Sequence, residues 1–359
     1  MKFIDEYREK KYIDELKLIL NEFNFEREIN IMEVCGTHTH SIHKFGIHKI
    51  LPKNVNHISG PGCPVCVTPT SYIDTAIKLS NIEGNVIVSF GDMIRVPGSK
   101  SSLEKEKSKG RDIRIVYSPL DTLNFAKREK EKNFIFLAVG FETTAPSIAA
   151  TIEEADKENL KNFFILCGNK TLPNALRALI ESDSKIDGFI LPGHVSTVVG
   201  SDEYEFLVED YNIPCAIAGF EPFDIILGYI SILKQINNKE TFIANTYLRS
   251  VRREGNPLAK FYLRKYFYEV DSEWRGLGII KNSGLVLKKE YKKFDALEFF
   301  KLEFEDVEER TGCMCGDVLK GKVKPTECPL YSNVCIPENP VGPCMISSEG
   351  TCAAYYKYG

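Results

Sequence analysis

The chain has 359 residues, 43% hydrophobic and 27% charged, with a formal net charge of −4. This is the composition of an ordinary globular protein too long for one compact core, so two or three domains are expected. No basic block and no apolar run of ~18 residues occur, which argues against a nucleic-acid footprint and a membrane span.

Residues 3–24 read as an amphipathic helix, with Ile13, Leu16, Leu20 and Phe23 three to four apart. The first residues are densely charged and lack an apolar signal core, so a cytoplasmic protein is expected. From residue 30 a short apolar run, a Gly/Pro/Cys loop and a helical stretch alternate. Residues 31–34 run into Cys35-Gly36-Thr37-His38-Thr39-His40, and residues 55–59 into Gly60-Pro61-Gly62-Cys63-Pro64-Val65-Cys66. Residues 86–90 meet Gly91-Asp92, 134–139 meet Gly140-Phe141-Glu142-Thr143-Thr144, and 189–191 meet Pro192-Gly193-His194-Val195-Ser196. Residues 216–218 meet Gly219-Phe220-Glu221, an echo of 140–142 that suggests related units. Strands and helices alternating at this spacing predict an α/β fold with parallel sheets covered on both faces. In such sheets, sites gather at the carboxyl ends of strands, where every one of these polar motifs falls.

After residue 240 the rhythm breaks. Residues 241–270 read as helical, and 279–287, split by Asn282-Ser283-Gly284, as a hairpin. Past Gly312 the chain is rich in Cys, Pro and Gly and has too little periodicity for a core of its own. Such a segment usually wraps a cofactor.

Thiols concentrate at two places. In the tail, Cys315, Cys328, Cys335 and Cys352 are separated by 12, 6 and 16 residues, with Cys313 and Cys344 in addition. Four thiolates can hold a [4Fe–4S] cluster on loops of variable length, although the spacing permits other sets of four. Zinc is the rival, but it favours tight Cys pairs that this tail lacks. Cys63 and Cys66 form a Cys-x-x-Cys motif between a strand and a helix, where a helix N-terminus would lower a thiol pKa and suit redox work. Half of a zinc site is the plainer reading. Cys35 and His38 offer thiolate and imidazole one turn apart, an open metal site suited to assembly or transfer of a metal centre. His40, His43, His48 and His57 read more simply as solvated or capping residues. Glu142 and His194, in strand-end loops, could carry protons, while the neighbouring Thr and Ser could equally cap helices. Cys167 and Cys215 read as packing residues.

Taken together, Cys35–His40, Gly60–Cys66, Gly140–Thr144, Pro192–Ser196 and the Cys-rich tail resemble the HypD family of [NiFe] hydrogenase maturation factors over nearly the whole chain from residue 30. The resemblance implies two similar Rossmann-like α/β domains and a third, mostly helical, Cys-rich domain carrying a [4Fe–4S] cluster. Placed on this chain, that gives an N-terminal helix at 1–29, domains at 30–125 and 126–238, and the iron–sulfur domain at 239–359. It implies a redox-active scaffold that, with a HypC-type chaperone, builds an Fe(CN)2CO unit from transient iron, with cyanide from HypE and HypF upstream. Cys35 and His38 fall at the iron-holding positions, and Cys63 and Cys66 at the redox pair. The alternative is an iron–sulfur-dependent disulfide or thiol reductase acting on a small substrate, which would not need a second, open iron site at Cys35.

Overall fold

The computed structural model describes residues 5–182, 184–307 and 312–359. A 3-10 turn at Asp5–Arg8 precedes α1 (Lys10–Leu20), so the N-terminal helix is shorter than its periodicity predicts. Next come β1 (Ile29–Glu33), α2 (Gly36–Lys44), β2 (Val55–Ser59), α3 (Thr70–Ser80) and β3 (Asn85–Ser89). They are followed by α4 (Leu103–Ser108), β4 (Ile113–Ile115), α5 (Leu120–Arg128), β5 (Asn133–Ala138), α6 (Ala145–Lys157) and β6 (Phe163–Cys167). The chain continues through α7 (Leu172–Ile180), β7 (Gly188–Pro192), α8 (Gly193–Val199), α9 (Glu205–Glu209), β8 (Cys215–Ala218), α10 (Pro222–Asn238) and β9 (Ile243–Asn245). The last part holds α11 (Pro257–Tyr266), β10 (Phe267–Trp274), β11 (Gly278–Leu287), α12 (Ala296–Phe300), α13 (Cys315–Leu319) and α14 (Thr351–Tyr358).

Among the described residues the strands form two all-parallel sheets, β2-β1-β7-β8-β9 and β4-β3-β5-β6, and the antiparallel hairpin β10-β11. The fold is therefore α/β with two Rossmann-like sheets and a Cys-rich tail. Strand pleating explains why the strand sequences are almost wholly apolar. In the first sheet Ile31, Ile190 and Ala216 point to the face covered by α1 and α10, and Met32, Phe189 and Ile217 to the other. In the second sheet Phe134 and Phe136 face one core, and Ile135 and Leu137 the opposite one. Both faces are dry, as parallel sheets require, and each such side chain contributes roughly 1.5–3 kcal/mol by burial.

The expected boundary between residues 125 and 126 does not follow the sheets. β1 and β2 pair with β7, β8 and β9, whereas β3 to β6 form a separate sheet inserted between them. Apolar periodicity reports that a segment is a strand, but parallel neighbours meet only across long crossovers, so the partner of a strand is not written locally. The hairpin also differs from expectation. Its turn is Arg275–Leu277, with Gly276 at φ +74°, while Asn282–Gly284 lie inside β11 near a register shift. The stretch expected to be helical to residue 270 gives α11 and then the first strand of this hairpin. The tail has no core of its own. Cys315, Leu319 and Cys344 share the core formed by Met32, Phe189 and Trp274.

Candidate metal and thiol site

Four adjacent strands of the first sheet, β2, β1, β7 and β8, end in Gly60–Cys66, Cys35–His40, His194 and Gly219-Phe220. Strand order alone therefore converges motifs that are far apart in sequence. Cys35 is the residue before α2, 8% exposed, and its N–H donates to Glu33 Oε2 at 2.8 Å. Thr39 Oγ1 donates to the other Glu33 oxygen. Burial pushes the Cys35 thiol up to about 12, against the pull of the backbone N–H groups of His38 and Thr37. Burial likewise raises Glu33 to about 7. The thiol is neutral until a cation displaces its proton.

His38 is fully buried. Its Nε2–H donates to the carbonyl of Gly219 at 2.8 Å, because a carbonyl can only accept. Nδ1 is consequently a bare lone pair, buried and without a hydrogen-bond partner. Burial lowers the pKa of this ring to about 4, so it stays neutral at physiological pH. A neutral imidazole whose second nitrogen is anchored to a carbonyl is the usual form of a metal ligand. The Phe220 ring is shared between His38, at 4.8 Å, and His194, at 3.9 Å.

The thiol loop is pressed onto Cys35. Gly36 N–H donates to Gly62 O at 3.0 Å, and a Cβ on Gly62 would lie 2.1 Å from the Cys35 nitrogen. Cys63 and Cys66 are 3% and 0% exposed, and Cys66 N–H donates to Cys63 Sγ at 3.4 Å. At Cys66 the depressed pKa expected from a helix N-terminus does not arise. Residues 63–66 form turns, α3 begins only at Thr70, and burial holds Cys66 well above the ordinary thiol range. Tail residues complete this side. Thr37 Oγ1 donates to Glu349 Oε1 at 2.6 Å, and Glu349, Val65, Asp92 and Thr144 border a cleft of about 440 Å³.

The tail cysteines Cys313, Cys315, Cys328, Cys335, Cys344 and Cys352 line one small cavity of about 20 Å³, with Met314, Leu330, Tyr331 and Met345 around them. Among the described residues no three His, Cys, Asp or Glu side chains are grouped to grip a single ion. The lining is thiol and apolar, the soft donor set that iron–sulfur clusters and zinc both use. Its neighbour Cys315 and burial raise the Cys313 thiol; Cys315, though Cys313 pulls it down, is raised to about 12 by Cys344 and burial, and the charge of Arg275 at the hairpin tip opposes both shifts only in part. Cys344, a spare thiol by sequence, bridges two sites. It shares a core cluster with Cys315 and Cys66, and these two neighbouring thiols hold its pKa below the ordinary thiol value.

Glu142 is not beside these thiols. Its Oε1 accepts Leu172 N–H at 2.8 Å, burial raises its pKa to about 7, and it lines a separate cavity. Ser196 and Thr197 spend their hydroxyls on carbonyls of their own helix, those of Pro192 and Gly193, at 2.8 Å each. Cys215 packs in the core, as expected. His43 and His57, read as solvated or capping, are shielded instead. His43 is 2% exposed, and Tyr229 OH meets His57 Nδ1 at 2.8 Å. Glu33 and Glu349 carried no usable signal in the sequence, and Phe220 showed only as part of the Gly-Phe-Glu echo, because their roles come from partners distant in the chain.

Comparison with known proteins gives the family. Residues 9–359 match the family described as HypD: Hydrogenase formation hypA family. A Methanocaldococcus jannaschii protein named for hydrogenase expression/formation is 44% identical over 97% of this chain and 96% of its own. Hydrogenase maturation factor HypD of Escherichia coli is 43% identical, covering 100% of this chain and 98% of its own, and that of Rhodobacter capsulatus 42%, covering 100% and 98%. The chain belongs to the HypD family of hydrogenase maturation factors.

Proposed function

We propose that this maturation factor is a redox-active scaffold on which iron acquires cyanide and carbon monoxide before delivery to a [NiFe] hydrogenase. A HypC-type chaperone would share the iron and HypE would donate the cyanide. The work belongs in the cytoplasm, and among the described residues no helix is long and apolar enough to cross a membrane. The observation that carries the reading is His38, whose bare, buried Nδ1 stands three residues from Cys35. As cargo, iron would displace the Cys35 proton and take that lone pair, leaving positions for diatomic ligands and a partner thiolate. Glu33, near 7, is placed through the Cys35 N–H to respond to that proton's departure.

Cys63 and Cys66 would pass between dithiol and disulfide beside this iron. Cys315, Cys328, Cys335 and Cys352 would hold a [4Fe–4S] cluster, which when bound supplies single electrons. Cys344 touches both Cys66 and Cys315, so sulfur contacts run from the tail to the dithiol. A reductase of small disulfides would use the same sulfur chain but would not need His38 in its ligand tautomer.

The test is anaerobic co-purification with a HypC-type chaperone, read by infrared spectroscopy. Cys35→Ala is expected to abolish the cyanide and carbonyl bands while the iron–sulfur colour persists. Full bands in that variant would place the iron elsewhere.

A further inference from the structure

A cavity of about 630 Å³, bordered by none of the thiols, opens where the loop after β5 meets α7, α11 and the hairpin. Pockets that enclose small molecules have this size. Glu142 lines it at 3% exposure. One oxygen of Glu142 is engaged by Leu172 N–H, and the other, Oε2, has no hydrogen-bond partner. A buried carboxyl oxygen left bare is an uncompensated loss for the fold, which a ligand donor would repair. The walls are apolar, formed by Val199, Phe206, Leu263, Phe267 and Leu285.

Cations border the same space. Arg177 lies over the Phe206 ring at 3.7 Å and pairs with Asp210 at 3.1 Å. Lys260 is held by the carbonyl of Val199 at 2.8 Å, and Lys288 by that of Arg264. Lys260 also pairs with Glu203 at 4.0 Å, whereas the carbonyl leaves Lys288 its charge, and the Arg264 side chain itself is exposed. Glu203 and Glu269 also reach the cavity and repel a charge on Glu142, so a second anion would not be accepted beside it. Acceptor, apolar wall and cation thus line one pocket.

We propose that this cavity binds a small organic anion with a planar apolar body, its charge toward Arg264 and Lys288 and an N–H or O–H donor toward Glu142 Oε2. The ligand is distinct from the iron cargo, and its binding does not require the thiols.

The test uses the anaerobically purified full chain and three probes: 4-aminobenzoate, benzoate without the donor, and aniline without the charge. Saturation-transfer NMR titrations are expected to rank 4-aminobenzoate roughly tenfold tighter than either of the others, the ratio that one charge-assisted contact supports. Arg264→Gln with Lys288→Gln is expected to weaken 4-aminobenzoate roughly tenfold and leave aniline unchanged, because only the anionic end loses its partner. Glu142→Gln keeps an oxygen for Leu172 but turns an amide N–H toward the cavity, so the preference over benzoate should vanish. Absence of binding by all three probes, equal binding of 4-aminobenzoate and benzoate, or unchanged affinity in the rim double variant would each overturn the proposal. The exposed rim positions keep the test open even if Glu142→Gln fails to fold.

Discussion

Gly62 decides how near the thiol loop can come to Cys35. A Cβ there would sit 2.1 Å from the Cys35 nitrogen and 2.3 Å from its Cα, both rigid backbone. Gly62→Ala should therefore destabilise the protein by about 1–3 kcal/mol, the range for overpacking, and speed alkylation of Cys35 as the loop lifts. Gly46→Ala is the control. Nothing lies within 4 Å of its added carbon, but φ is +66°, so it should cost only about 1 kcal/mol and leave Cys35 unchanged. Unfolding in denaturant and timed iodoacetamide labelling check both, and a neutral Gly62→Ala would refute the close approach. At this scale the sequence was informative where a residue type carries its own chemistry, as Cys35 and His38 do. It was silent where packing assigns the role. Glu349 meets Thr37 across 312 positions, and Phe220 matters only because β8 lies next to β7.

Helix α14 rests on α2 through rings. His43 lies 4.3 Å from Tyr355 and 4.5 Å from His48, and neither of its nitrogens has a hydrogen-bond partner. Burial, with the charges of His48 and Lys49, lowers His43 to about 3, and burial holds His57 well below its ordinary value. The unfolded chain binds these protons near pH 6.5 and the folded one does not. Stability is thus fully present above that pH and is lost as the pH falls. Each such histidine adds up to about 1.4 kcal/mol per pH unit. His43→Phe should flatten this slope between pH 6.5 and 4 and should also stabilise the protein at pH 7 by removing unpaired nitrogens. Urea titrations across that range are the measurement, and an unchanged slope would contradict it. The elements themselves were largely legible, because apolar runs ending in Gly/Pro loops are strands in a buried parallel sheet. The hairpin turn was not, since Asn282-Ser283-Gly284 and the actual turn, Arg275-Gly276-Leu277-Gly278, both have turn composition, and composition alone does not choose between them.

Over the whole molecule, the sulfur chain joins parts of the sequence that no local pattern connects. Cys66 follows β2, whereas Cys344 and Cys315 belong to the tail, yet all three lie in one core cluster and shift one another's titration. If the tail holds the proposed iron–sulfur cluster, Cys344→Ala is expected to keep its brown colour while preventing dithionite from reducing a disulfide at Cys63 and Cys66. Thiol labelling of those two positions reads the outcome, and normal reduction in the variant would show that electrons take another route. Domain membership was the largest feature hidden from the sequence. Residues 30–59 look continuous with residues 60–125, but their pleated edges are completed by β7, β8 and β9.

That interleaved connectivity has a consequence for how the protein is made. β7 leaves the ribosome roughly 150 residues after β1, a delay of about 10–30 s at ordinary synthesis rates. During that interval β1 and β2 have no neighbour on the β7 side, while β3 to β6 can already assemble from consecutive segments. The inserted sheet is the earlier folding unit, and the nascent Cys35 and Cys63 wait on an incomplete edge, open to oxidants and stray metal. Only when β7 and β8 arrive does the Gly219 carbonyl reach His38, so the anchored histidine is completed after the inserted sheet.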